Sequence, residues 1–221
     1  MWGAALWLAA TAPALAAEQI AVPAACPGRQ AVVLERFTSA DCSACWQADA
    51  AAASGTQWLL DWISPTTPEA PMSAAAAIES RERAQRAGGP APVAQQMLVV
   101  RSAIAPAPGL QLAVESGPAW SGYMGLQLSV RGRVPASASG WMALVEQIPA
   151  GSEGSTVRRE LVRAVAGPLP LNARRTGGAL KHLAALRWPE GARPERLVAR
   201  AWVESADGHW LAMASERCPQ R

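Results

Sequence analysis

The chain has 221 residues, half of them hydrophobic, and a formal net charge of +3 that comes from arginine, Lys181 being its one lysine. So small and dispersed a surplus argues against a nucleic-acid partner: the densest basic pairs, Arg158-Arg159 and Arg174-Arg175, lack interleaved aromatics and read as solvated surface. No apolar run reaches the roughly 20 residues of a spanning helix, so stable membrane insertion is not expected either.

Met1 to Ala16 is almost wholly apolar and ends in Ala14-Leu15-Ala16, the small-x-small pattern of a signal-peptidase site. It predicts a signal peptide over residues 1–16, a mature chain starting near Ala17 or Glu18, and a periplasmic or secreted location. No Lys or Arg precedes the apolar run, so the amino terminus alone supplies its positive end. Roughly 205 residues then remain, room for one large or two small domains with cores of their own, and two are expected.

Ala31 to Phe37 (AVVLERF) reads as a strand, Thr38 to Asp41 as a turn, and Ser43 to Ala53 as an alanine-rich helix ended by Gly55. Trp58 to Ile63 (WLLDWI) suits a buried second strand. After the loop marked by Pro65, Pro68 and Pro71, Ser73 can cap a helix running to about Ala87, and Gln96 to Val100 is a third strand. This β-α-β-α-β order is compatible with a helix-covered parallel or mixed sheet over residues 17–104.

Beyond the break at Ile104 to Gly109, strand-like segments recur without helices between them: Leu110 to Glu115, Leu126 to Arg131, Met142 to Gln147, Val157 to Val165, Leu197 to Glu204 and His209 to Glu216. Such spacing predicts an antiparallel sheet or sandwich over residues 105–221, closing on a hairpin that turns at Ala206-Asp207-Gly208. The expected fold class is α+β. Trp58, Trp62, Trp120, Trp141, Trp188, Trp202 and Trp210 are expected to fill the core.

Cys26, Cys42, Cys45 and Cys218 permit three connectivities. Cys42 and Cys45 form a C-x-x-C at the start of a helix, a redox motif or half of a zinc site. No second C-x-x-C or His pair follows, and His182 and His209 lie far apart, so redox use is favoured. By elimination Cys26 and Cys218 are left to form a structural disulfide between the two ends, the alternative being two free or intermolecular thiols. A loop that long would gain about 4–5 kcal/mol from closure in the simple chain model.

The run Val33 to Asp49 (VLERFTSADCSACWQAD) resembles the bacterial exported family known as domain of unknown function 1223, whose members carry a phrase close to ELFTSQGCSSCPPAD. The cysteine spacing and the Phe37-Thr38-Ser39 lead-in match. Leu60-Asp61-Trp62 is similar to that family's Asp-aromatic strand end, Arg81-Glu82-Arg83-Ala84 to its Arg-Gln-Arg-Ala helix, Gln96-Met97-Leu98-Val99 to its Gln-Met-Val-Val strand, and Ala201 to Ala214 to its last hairpin. The resemblance implies a thioredoxin-like α/β domain followed by a β-sandwich-like domain. The sequence departs from the family pattern in two places. Ala94 and Gln95 stand where the family has Thr-Pro, the cis-proline position facing the C-x-x-C, and Trp46 replaces a proline. A non-proline cis bond costs about 2.5–4 kcal/mol, so the bond before Gln95 is expected to be trans and the loop facing Cys42 differently shaped.

At the start of a helix Cys42 is the expected attacking thiolate, with Cys45, less exposed, resolving the mixed disulfide and Asp49 a candidate proton relay. Thiol-containing envelope proteins are the matching partners, and no cofactor is called for. Two readings compete with exchange: a static disulfide in a non-catalytic envelope binding or assembly module, and capture of a soft ion such as Cu(I). No Ser-His-Asp set, phosphate loop or paired catalytic carboxylates accompany the cysteines.

Overall fold

The computed structural model describes residues 32–48, 57–171 and 179–217. In chain order they form β1 (Val32–Ser39), α1 (Ser43–Gln47), β2 (Trp58–Ser64), α2 (Glu79–Arg86), β3 (Met97–Ala103), β4 (Gln111–Trp120), β5 (Tyr123–Arg131), β6 (Ser139–Ile148), β7 (Arg159–Pro170), β8 (Leu180–Arg187), β9 (Leu197–Glu204) and β10 (Trp210–Ser215). Seven strands make one mixed sheet in the order β10-β9-β6-β7-β2-β1-β3, and the other three make an antiparallel sheet β4-β5-β8.

The expected α+β arrangement, a thioredoxin-like α/β domain followed by an antiparallel sandwich-like domain, is therefore corrected. Strand is the dominant structure among the described residues, and the two short helices found there, of five and eight residues, are too little to cover the faces of an α/β sheet. The open edge of β2 is taken by β7, parallel, at Asp61 opposite Leu161. Strands from both halves of the chain thus share one sheet, with β1 parallel to β2 and antiparallel to β3.

Both faces of the large sheet are buried, as its central strands announce. All eight residues of β9 are buried, an uninterrupted run rather than the alternation of a half-solvated strand. Met142, Leu144, Leu197, Ala199 and Val203 face the small sheet, meeting Val114, Leu126, Leu128 and Val130. Trp141, Val145, Val198 and Trp202 face the other way, with Phe37, Trp58 and Trp62, under Ala84 of α2. A smaller core of Ala40, Trp46, Ile63, Ile148 and Leu161 lies around α1.

Tryptophan and arginine interleave in the face under α2. Trp141 and Trp202 stack at 6.1 Å, and the guanidinium carbons of Arg83 and Arg86 lie 4.5 and 4.4 Å from the ring centroids of Trp210 and Trp141. Arg83 is shared by two carboxylates: Nε and Nη2 donate to Glu35 at 2.8 Å, and Nη1 pairs with Glu204. Burial pulls the Arg83 guanidinium down, but the two carboxylates outweigh it and hold it above its usual range. Glu204 has only a share of that cation and is pushed up by burial, with Glu35 adding to the push. Trp58, Trp62, Trp141, Trp202 and Trp210 are buried as expected, whereas Trp120 is 82% exposed.

Both predicted helices come out shorter. Ser73–Ala75 is a 3-10 turn and α2 starts only at Glu79, because Met72 N–H bonds to Ala40 O and Ala77 N–H to Ile63 O, at 3.0 Å each. Those bonds tie the intervening chain to the ends of β1 and β2. α1 stops at Gln47, Ala48 being extended, and residues 49–56 lie outside the described residues. Leu180–Arg187 (LKHLAALR) forms β8, a strand with no sequence signal; its Leu, Ala, Lys and Arg are good helix formers, overridden by pairing with β5 and burial of Leu186. The signal peptide predicted over residues 1–16 lies outside the described residues, and among those described no helix is long and apolar enough to cross a membrane.

Candidate functional site

β1 delivers the chain to the site with Phe37 and Leu34 fixed in the core, and its end is pinned from two sides. Ser39 N–H donates to Gln96 O at 3.0 Å, and Ala40 N–H to Ser64 O at 2.9 Å. The tight turn that follows, closed by Cys42 N–H on Ser39 O at 3.0 Å, sets Cys42 as the cap of α1. Cys42 and Cys45 are joined by a disulfide, their Cα atoms 5.3 Å apart. Cys42 Sγ also accepts the Cys45 backbone N–H at 3.2 Å.

The order of exposure is the reverse of the sequence expectation. Cys42 is 3% exposed, whereas Cys45 is half-buried. The more accessible residue of the pair is the second one.

Beneath α1 lies a buried group of charges that the sequence reading did not single out. Arg36 grips Asp61 bidentately, Nε to Oδ1 at 2.7 Å and Nη2 to Oδ2 at 3.0 Å. Arg159 Nη1 donates to the same Oδ1 at 3.2 Å, and the Glu160 backbone N–H to Oδ2 at 2.7 Å. Two guanidiniums thus share one carboxylate, and Asp61 and Arg159 are fully buried. The surplus positive charge faces the exit of α1. Arg159 Nη2 donates to Trp46 O at 2.6 Å, Ala48 O at 2.8 Å and, longer, Cys45 O at 3.4 Å, while its Nε donates to Ser155 Oγ at 2.9 Å. A helix leaves its last carbonyls without intrahelical partners, and here one buried arginine collects them. That arrangement explains why α1 ends where it does. Arg159, read with Arg158 as solvated surface, is instead fully buried, with Trp46 stacked over it at 4.9 Å.

A signal for this group was present in the sequence. Arg36 interrupts AVVLERF and Asp61 interrupts WLLDWI, and a charge inside a strand buried on both faces needs a partner of opposite sign. What the sequence could not supply was the third member, which lies 98 residues beyond Asp61.

The loop that carries Ala94 and Gln95 closes over the same turn. The peptide bond before Gln95 is trans, and Gln95 has φ +46°, a left-handed conformation that costs a non-glycine residue roughly 1–2 kcal/mol. Asp41 holds it there: Oδ1 accepts Gln95 N–H at 3.0 Å and the Asp41 carbonyl accepts Gln95 Nε2 at 2.6 Å. The Gln95 N–H and the Ser39 hydroxyl hold the Asp41 carboxyl below its usual value.

The remaining sequence candidates are not brought to this place. Cys26, Cys218 and Asp49 lie outside the described residues, as do Arg174 and Arg175. His182 Nε2 is 2.9 Å from Pro170 O, and His209 pairs with Asp207. Among the described residues no group of three or more His, Cys, Asp or Glu is placed to hold a metal. A cavity of about 340 Å³ runs along the Ser43-Trp46-Gln47 side of α1, and neither cysteine lines it. Comparison with protein-family models, curated proteins and solved structures finds no match.

Proposed function

We propose that the Cys42–Cys45 disulfide is a thiol-disulfide exchange centre, in an exported protein whose partners are thiol-containing envelope proteins. The observation that carries this reading is the asymmetry of the pair. Cys45 is accessible to an incoming thiolate, while Cys42 Sγ already accepts a backbone N–H, the contact a departing thiolate needs. Export is supported by the leader-like residues 1–16, and the exchange role by the resemblance of Val33 to Asp49.

The chemistry follows from the polarity. A partner thiolate attacks Cys45 Sγ, the Cys42–Cys45 bond breaks, and its electron pair leaves on Cys42 Sγ. A second partner thiolate then attacks the mixed disulfide and releases the Cys45 thiolate. The partner ends oxidised by two electrons and the pair ends as two thiols once protonated. Cys42→Ser is expected to abolish turnover in an insulin-reduction or thiol-oxidation assay, while its lone Cys45 thiolate opens the disulfide of an oxidised partner, releases one partner sulfur as thiolate and stays bonded to the other. Thiol trapping with mass spectrometry checks this, and unchanged turnover would refute the reading.

The burial of Cys42 favours a second reading, a static bond that fixes α1 within a binding or assembly module. Glutathione titration of the couple separates the two. A potential between about −120 and −270 mV falls in the range of exchange catalysts, and one below about −300 mV is that of a structural bond.

A further inference from the structure

The small sheet turns its inner face to the core, and among the described residues its outer face is open at the Trp120–Tyr123 end but closed at the Ala113–Ser129 pair, which is buried. Met124, Leu126, Leu128 and Val130 of β5 point inward, so Tyr123, Gly125, Gln127, Ser129 and Arg131 point outward. Strand pairing places their neighbours. Tyr123 is flanked by Trp120 on β4 and Arg187 on β8, Gln127 by Glu115 and Leu183, and Ser129 by Lys181. Directly paired residues share a face with Cβ atoms about 4.5–5.5 Å apart.

Three features of this face point to one class of ligand. Trp120 is 82% and Tyr123 48% exposed, an aromatic pair at one end of the face. Beside it a trough of about 510 Å³ runs where Gly117, Gly125 and Ala185 leave the backbone bare, with Glu115 and Gln127 on its wall. A volume of this size lies in the range of about 300–1,000 Å³ of small-ligand sites. Along the face Arg131, Lys181 and Arg187 stand against the single carboxylate of Glu115, and none of the three cations makes an ion pair among the described residues.

We propose that this face binds an acidic polysaccharide, a sugar polymer carrying carboxylates. A sugar presents an apolar C–H face to an aromatic ring and hydroxyls at its edge. Trp120 and Tyr123 match the first, Glu115 and Gln127 the second, and the three cations match the carboxylates. The open stretch of β5 from Tyr123 to Gln127 spans about 13 Å, room for about two sugars in a row. A protein partner would want a contiguous apolar centre, but Leu183 is separated from Trp120 and Tyr123 by the bare backbone of Gly125 and Ala185. The inference does not depend on the redox reading.

The test is affinity electrophoresis of the full chain in gels containing polygalacturonate, with neutral hydroxyethylcellulose and phosphatidylglycerol vesicles as comparisons. Polygalacturonate is expected to retard the protein, less so as salt rises. Trp120→Ala, at a position too exposed to affect folding, and the Lys181→Glu/Arg187→Glu double variant are each expected to weaken binding about tenfold. Circular dichroism confirms that the variants are folded. The proposal is overturned by absent retardation, by equal binding of the neutral polymer, by binding to the vesicles alone, or by variants that bind like the parent.

Discussion

At the scale of single residues, Arg159 links the disulfide to the sheet. Its donors reach Asp61, Ser155 and the exit carbonyls of α1, and no other side chain has that geometry. Lysine keeps the charge but has three donors on one atom in place of a planar fork. Arg159→Lys is therefore expected to cost about 2–4 kcal/mol in urea unfolding and to speed reduction of Cys42–Cys45 by dithiothreitol. Asp41 predicts a pH effect. Its folded value lies below the ordinary 3.8, so the stability it adds is present above that value and is lost as pH falls through the folded one. Thermal unfolding midpoints should fall more steeply on acidification below about pH 4 in the parent than in Asp41→Asn. Arg36 and Asp61 were legible as charges out of place in apolar strands. Arg159 was not, since its neighbours Arg158 and Glu160 give it the look of a solvated charged surface.

At the scale of elements, tertiary demands shortened the helices and set the strands. The predicted helix after Ser73 lost its first turns to hydrogen bonds with the ends of β1 and β2, whose backbone groups are more urgently in need of partners. The β4-β5 hairpin shows how close approach is enforced. Gly132, just after β5, has φ +86°, and a Cβ there would stand 1.8 Å from the Gly109 carbonyl oxygen, before β4 begins. Gly132→Ala is expected to destabilise by about 3 kcal/mol or more, through clash and backbone strain together. Gly122→Ala is the control: its φ is +79° but no atom lies within 4 Å, so only the strain of roughly 1–2 kcal/mol applies. Equal melting temperatures for the two variants would contradict the close approach.

At the scale of the molecule, the halves of the chain complete each other's charges. Asp61 and Arg36 meet Arg159 and the Glu160 amide, while Glu35 and Arg83 meet Glu204. Trp46 Nε1 donates to Glu153 O at 2.8 Å, a further tie from α1 to the second half. A fragment covering residues 32–104 would expose the β2 edge and lose a partner from each charge group. Breaking a buried pair costs about 3–5 kcal/mol, so that fragment is expected to be unfolded by circular dichroism and to show no protected amides in hydrogen exchange. A folded fragment would mean that the shared sheet is dispensable.

By itself the sequence determined the local events: the strand leading into Cys42, the turn before it, the buried strand Trp58 to Ile63, strands of the second half, and the last hairpin at Asp207-Gly208. Each is written in periodicity or turn chemistry over a few adjacent residues. Only the tertiary structure decided that β7 joins β2, that Cys45 rather than Cys42 is accessible, and that LKHLAALR is a strand. Those outcomes depend on pairings between residues up to about a hundred positions apart. A strand's open edge accepts any partner whose hydrogen bonds and buried charges fit, and no local pattern names which one will arrive.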